Sequence, residues 1–215
     1  ATGQDDAALT ALLEVVKDDP SNGVAQLDLA HLYTALNDIP RAQDALLIAF
    51  ASQDVFIEEK REILVQYLQI ASVDPSLNPM VEALLEAALG QHPKSAELHM
   101  LAADYEQGQG RPEVAIVHAE AAIETNPADP FAWTNLIALD ADLEHAADML
   151  SHATQAMDLF PLDANFAYYA AVAALDQEDF TTMVSVLERG LAVILDAPEM
   201  EGLMHGMLGD ALHET

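Results

Sequence analysis

The chain has 215 residues, 52% apolar and 20% charged, which excludes wholesale disorder and supplies a large core. Its 37 Asp and Glu against 7 Lys and Arg give a formal net charge of −30, a surface that repels phosphate backbones and anionic lipids and so argues against nucleic-acid and membrane-surface binding. Cysteine is absent, which removes disulfides, zinc–thiolate sites and thiol catalysis, and no apolar run approaches the roughly 18 residues of a membrane-spanning helix.

Plentiful Ala, sparse Gly and Pro and few β-branched runs predict a helical chain. Residues 4–18 read as one amphipathic helix. Residues 21–53 hold a pair, Gly23–Leu36 and Arg41–Ala51, around the turn Asn37-Asp38-Ile39-Pro40. Residues 54–93 are a less regular pair with a longer first helix. In residues 94–127, Leu98, Leu101, Ala102 and Tyr105 lie on one helical face. Gly108-Gln109-Gly110-Arg111-Pro112 then stops one helix and starts the next, Val114–Glu124. Residues 128–161 give Phe131–Asp140 and Ala146–Leu159. Residues 162–195 give Phe166–Leu175 and Phe180–Ile194 around Gln177-Glu178-Asp179, and residues 198–215 form a last helix.

A period of 34 organises these pairs. Pro93, Pro127 and Pro161 are 34 apart, as are Ala88, Ala122, Ala156 and Gly190, with Leu89, Ile123, Met157 and Leu191 beside them. Leu85, Ala119, Ala153 and Leu187 make a further column on the same spacing. Small residues in register let two helices cross closely, and units that each bury one face must stack.

The residues of this unit resemble the tetratricopeptide (TPR) repeat. The match runs through Leu29-Ala30, Tyr33, Ala42 and Ala49; then Leu98, Leu101-Ala102, Tyr105, Ala115, Ala122 and Pro127, with one extra residue in the turn; then Trp133, Leu136, Ala156 and Pro161; then Phe180, Gly190 and Leu191; and finally Leu208-Gly209. Met149 and Met183 stand where a small Ala is usual, and Asp140 where Tyr is usual. The resemblance implies an all-α, right-handed solenoid of antiparallel helix pairs, about five repeats in about 11–12 helices. One solenoid is expected over 1–215, with an orphan second helix at 4–18 and an orphan first helix at 198–215. Ends cut mid-repeat would expose apolar surface such as Met204, Met207 and Leu208, so the chain reads as a fragment of a longer array, or one whose ends self-associate.

No catalytic motif survives. Gly108-Gln109-Gly110 lacks the third glycine of a dinucleotide loop, Glu113 standing there. Asp140-Ala141-Asp142-Leu143-Glu144 begins like a calcium loop, but His145 and Ser151 replace its required Gly and Glu, so it reads as an acidic turn. Of the eight histidines, none forms an i, i+3 or i, i+4 pair with another, so they read as scattered residues, and neither metal nor cofactor is expected.

TPR arrays that bind peptides usually do so on the concave face lined by first helices. By resemblance that face carries Val24, Leu27, His31 and Thr34, then His99 and Ala103, then Phe131, Thr134 and Ala138, then Asn165, Tyr168 and Val172. The family's cationic carboxylate clamp is missing, because Leu27, His99, Thr134 and Tyr168 occupy its places. The expected function is a non-enzymatic scaffold for a protein or peptide without an anionic end; the alternative is a positioning or assembly module of a larger exported protein. The acids are spread along the chain, which favours a solvated shell over steering toward one basic partner. The start at Ala1 and the lack of Cys favour an exported, processed protein; a cytoplasmic array trimmed at its ends would read the same.

Overall fold

The computed structural model describes residues 3–195 and 197–215; Ala1 lies outside the described residues. Within them are twelve α-helices: α1 (Gly3–Asp18), α2 (Gly23–Ala35), α3 (Ile39–Ala51), α4 (Ile57–Ala71), α5 (Asn78–Gln91), α6 (Ala96–Gly108), α7 (Pro112–Thr125), α8 (Pro130–Asp142), α9 (Ala146–Leu159), α10 (Ala164–Asp176), α11 (Phe180–Leu191) and α12 (Pro198–Glu214). A short 3-10 turn, Pro75–Leu77, lengthens the irregular pair between α4 and α5. The chain divides into two compact units, residues 1–101 and 102–215, each described by itself below.

Acidic residues start many of these helices. Asp38, Asp129, Asp163 and Asp179 accept the N–H of Arg41, Phe131, Asn165 and Thr182 at the first turns of α3, α8, α10 and α11. Each satisfies an orphan donor and sits at the positive end of the helix dipole. Part of the unusual charge is therefore structural.

The turns inside the pairs repeat in backbone geometry. Asn37, Gly110, Glu144 and Glu178 all have positive φ, between 54° and 72°, and the last three are 34 residues apart. At each, the residue donates to the carbonyl three before it, and the next N–H donates to the carbonyl five before it: Asp38 to Tyr33, Arg111 to Glu106, His145 to Asp140 and Asp179 to Ala174. This is the left-handed helix stop. Gly110 adopts it freely, while Glu144 and Glu178 each cost about 1 kcal/mol. The shared geometry corrects the sequence alignment of residues 94–127. Their turn carries no extra residue, and Glu106, not Tyr105, is the counterpart of Tyr33 and Asp140.

In the first unit, α1 packs on α2, α2 on α3, α3 on α5 and α4 on α5. Leu29, Ala49, Phe50, Leu64, Val81, Leu84 and Ala88 are buried between them. One position on each first helix ties it to the end of the preceding helix. Gln26 Nε2 donates to the Pro20 carbonyl at 2.9 Å, Lys60 Nζ to the Ser52 carbonyl at 2.7 Å, and a ring nitrogen of His99 meets the Pro93 carbonyl at 3.1 Å. In the second unit Trp133 Nε1 donates to the Pro127 carbonyl at 3.0 Å. Gln26 and Lys60 are 34 apart, as are His99 and Trp133; the longer second pair accounts for the 39 between Lys60 and His99.

Lys60 is fully buried and its Nζ also stands 3.4 Å from His92 Nε2. Burial holds the Lys60 ammonium below its ordinary range, and burial together with the Lys60 charge holds His92 below the usual 6.5. A histidine whose folded pKa is depressed leaves the unfolded chain binding more protons just below 6.5, so its contribution is complete above that pH and lost as pH falls toward the folded value. We expect wild type to lose stability relative to His92→Gln as pH falls below about 6.5. The difference between the two urea-unfolding series isolates this effect from carboxylate protonation, and parallel pH profiles would contradict it.

In the second unit, α7 packs on α8, α8 on α9, α9 on α10, α10 on α11 and α11 on α12. Ala119, Ala122, Ala153 and Ala156 are wholly buried at the crossings. On α11, Met183, Val186, Leu187 and Gly190 are buried at i, i+3, i+4 and i+7. The expectation of an exposed terminal helix is corrected here. Met204 is fully buried, and Met207 and Leu208 are partly buried against the same core, because α12 lays one face on α11. Its solvent-facing apolar residues are instead Leu203 and Leu212.

Candidate functional site

The expected contact residues fall into three groups. Val24 on α2 and Phe131 on α8 are large apolar side chains 51% and 64% exposed. His31, Thr34 and Asn165 are also exposed, whereas Thr134 and Tyr168 are half-buried. Thr34 and Thr134 donate back to the Ala30 and Pro130 carbonyls four residues earlier, and Tyr168 packs against the second core with its ring 5.9 Å from that of Tyr169. Leu27 is buried and belongs to the core, as does Ala103. His99 holds the Pro93 carbonyl as Trp133 holds Pro127.

That equivalence shifts the register of α6. If His99 matches Trp133, the counterparts of Phe131, Thr134 and Ala138 are Glu97, Met100 and Asp104, each 34 residues earlier. These three were missed. The misleading signal was the apolar run around Leu101 and Tyr105, which mimics the repeat one residue out of step. Glu97 pairs with Arg61 at 3.1 Å. Asp104 accepts from Asn135 Nδ2 at 3.1 Å, and burial raises its pKa above the ordinary carboxyl value.

His31 has company that the sequence reading did not assign. Between α1 and α2 an open groove of about 570 Å³ is lined by Ala8, Ala11, Leu12, Asp28, His31, Leu32 and Ala35. Its walls are mostly aliphatic, with Asp28 and His31 as the polar members, and the two alanines of α1 leave the space. The pattern legible in advance was the small-residue stripe of α1 facing α2.

A second constellation lies on α8 and α9. The Asp140 side chain is 1% exposed, and its Oδ2 accepts from His152 Nδ1 at 2.7 Å. This bond raises the His152 pKa above its usual 6.5. The His152 ring stands edge-on to Trp133 with centroids 6.4 Å apart. Asp140 Oδ1 has no hydrogen-bond partner, an omission that costs about 1–3 kcal/mol for a buried acceptor. Among the described residues, Asp140, His145 and Asp148 bring ligand atoms within 4.8 Å of one another.

No protein-family model matches the chain, and no curated protein matches it. Among solved structures the likeness is to TPR proteins, so the chain has the TPR-type α-solenoid fold of stacked antiparallel helix pairs. The similar structures include YrrB, described as a TPR protein with an unusual peptide-binding site, at 17% identity and TM-score 0.54, with 94% of this chain and 96% of that one covered. They include PilW, described as a widely conserved type IV pilus biogenesis factor, at 16% identity and TM-score 0.52, with 93% and 90% covered. MamA aligns at 13% identity and TM-score 0.53, with 73% and 88% covered. Among the described residues no helix is long and apolar enough to cross a membrane.

Proposed function

We propose that this protein is a non-enzymatic scaffold that binds a protein or peptide segment along its first helices. The observation that carries the reading is the mostly aliphatic groove between α1 and α2 with Asp28 and His31 on its wall. Support comes from the fold shared with YrrB, whose description names a peptide-binding site, and from exposed Phe131 in the second unit. The binding residues on this reading are Val24, His31, Thr34, Phe131, Thr134, Asn165 and Tyr168. Leu27 supports them from the core, and His99 fixes the start of α6. The face is neutral to acidic, so the preferred segment is apolar and lacks a cluster of acids.

A displayed random-peptide library selected on the whole chain supplies the probe. Ala11→Trp fills the groove, and Phe131→Ala removes the exposed ring from the second unit; both sites are exposed, so helicity is expected to survive. We expect one or both to weaken the selected peptide at least about tenfold, ~1.4 kcal/mol. Unchanged affinity in both variants would place binding elsewhere. A second reading, assembly through α12, is favoured by Leu203 and Leu212, 57% and 56% exposed; a strictly monomeric chain in sedimentation at high concentration counts against it.

A further inference from the structure

The pair turns of the second unit differ in one respect. Where α6 meets α7, Glu106 and Arg111 form an ion pair at 2.5 Å. One period later the same two positions are Asp140 and His145, closed by the same backbone bond. The guanidinium is gone, and a second carboxylate, Asp148, has joined from the first turn of α9. Asp140 is nine-tenths and more buried; Oδ2 is committed to His152, and Oδ1 is left unpartnered.

We propose that Asp140, His145 and Asp148 form a binding site for a divalent transition-metal cation, which takes the place that Arg111 fills in the preceding turn. One imidazole and two carboxylates form a nitrogen–oxygen donor set suited to zinc and its neighbours rather than to calcium or magnesium, which prefer oxygen alone. Ligands about 2.1 Å from a tetrahedral zinc stand roughly 3.4 Å apart. The present spacing of up to 4.8 Å therefore closes by small rotations of His145 and Asp148, both exposed. His152 acts as a positioning residue: its N–H on Oδ2 fixes the carboxylate plane and leaves Oδ1 for the metal. Three protein ligands leave at least one coordination position for water or for a donor from another molecule. Sequence spacing does not bring this set together: it weighs histidine against histidine, and Asp140 with His145 only as positions one and six of a calcium loop. The i, i+3 pair is His145 with Asp148, and the third ligand comes from the other helix.

The probe is zinc chloride, titrated calorimetrically into the whole chain with excess magnesium chloride to occupy diffuse sites on the acidic surface. We expect saturation at one zinc per chain. His145→Ala and Asp148→Ala should each weaken it at least about tenfold with unchanged circular dichroism, while His205→Ala, an exposed histidine near Glu201, leaves it unchanged. Absence of saturable binding overturns the proposal. So does zinc affinity that survives His145→Ala and Asp148→Ala, because the cation would then be held by the general acidity of the chain.

Discussion

Gly190→Leu is expected to lower the unfolding free energy by about 3 kcal/mol, at the upper end of the overpacking range. A Cβ built at Gly190 would stand 2.4 Å from Met204 Cε and 2.5 Å from Ala167 Cβ. The methionine end can rotate away. The alanine methyl is rooted in the backbone of α10, so α10 and α11 must separate, and every contact along their crossing loosens. Gly190→Ala meets the same obstacle and should cost about 1–3 kcal/mol. In that background Ala167→Gly should recover much of the loss, whereas Met204→Ala should not, since it opens a cavity and leaves the clash. Gly206 on α12 is the control: nothing stands within 4 Å of an added Cβ, so Gly206→Ala should stabilise by about 0.5–1 kcal/mol through helix propensity. Urea unfolding of the five variants checks the series, and equal stability for Gly190→Leu and wild type would refute the close crossing.

Lys60→Ala is expected to cost about 3 kcal/mol. It deletes three buried methylenes at ~0.8 kcal/mol each and a charge-assisted hydrogen bond worth about 1.5–3 kcal/mol. Releasing a desolvated ammonium returns part of that sum. The carbonyl it serves, Ser52, lies just beyond the end of α3. One period earlier Gln26 serves the Pro20 carbonyl from the equivalent place, so Lys60→Gln should cost only about 1 kcal/mol by keeping a donor on a shorter stem. Lys60→Met keeps the apolar stem and loses the donor, and should fall between the two. If the Ala and Gln variants unfold at the same urea concentration, the hydrogen bond contributes nothing and Lys60 acts only as filler.

The Gln26, Lys60, His99 and Trp133 column shows where sequence reading meets its limit. Four side chains of unrelated chemistry perform one task, because the task needs a donor of the right reach and little else. Residue similarity could not align them, and the one-residue slip in α6 followed. The Ala88, Ala122, Ala156 and Gly190 column was legible for the opposite reason. Close helix approach tolerates only the smallest residues, so the physical demand is written directly in residue type. All four positions are buried. Among the residues expected on the contact face, Val24, His31 and Phe131 are exposed, whereas Leu27 and Ala103 are buried because one turn of α2 or α6 separates a groove position from a packing one.

Helix content, pairing and the period of 34 were determined by the sequence alone, since propensity, caps and small-residue spacing are local and repeat. Tertiary structure decided which donors reach which carbonyls, that Met204 is covered, that α1 and α2 leave a groove between them, and that Asp140 meets His145 and Asp148. Those outcomes depend on side chains brought together across helices, where a rotation of one residue, about 100°, exchanges a buried position for an exposed one. The −30 charge, read from the sequence as a solvated shell, is divided by the structure into helix caps at Asp38, Asp129, Asp163 and Asp179 and a candidate cation site.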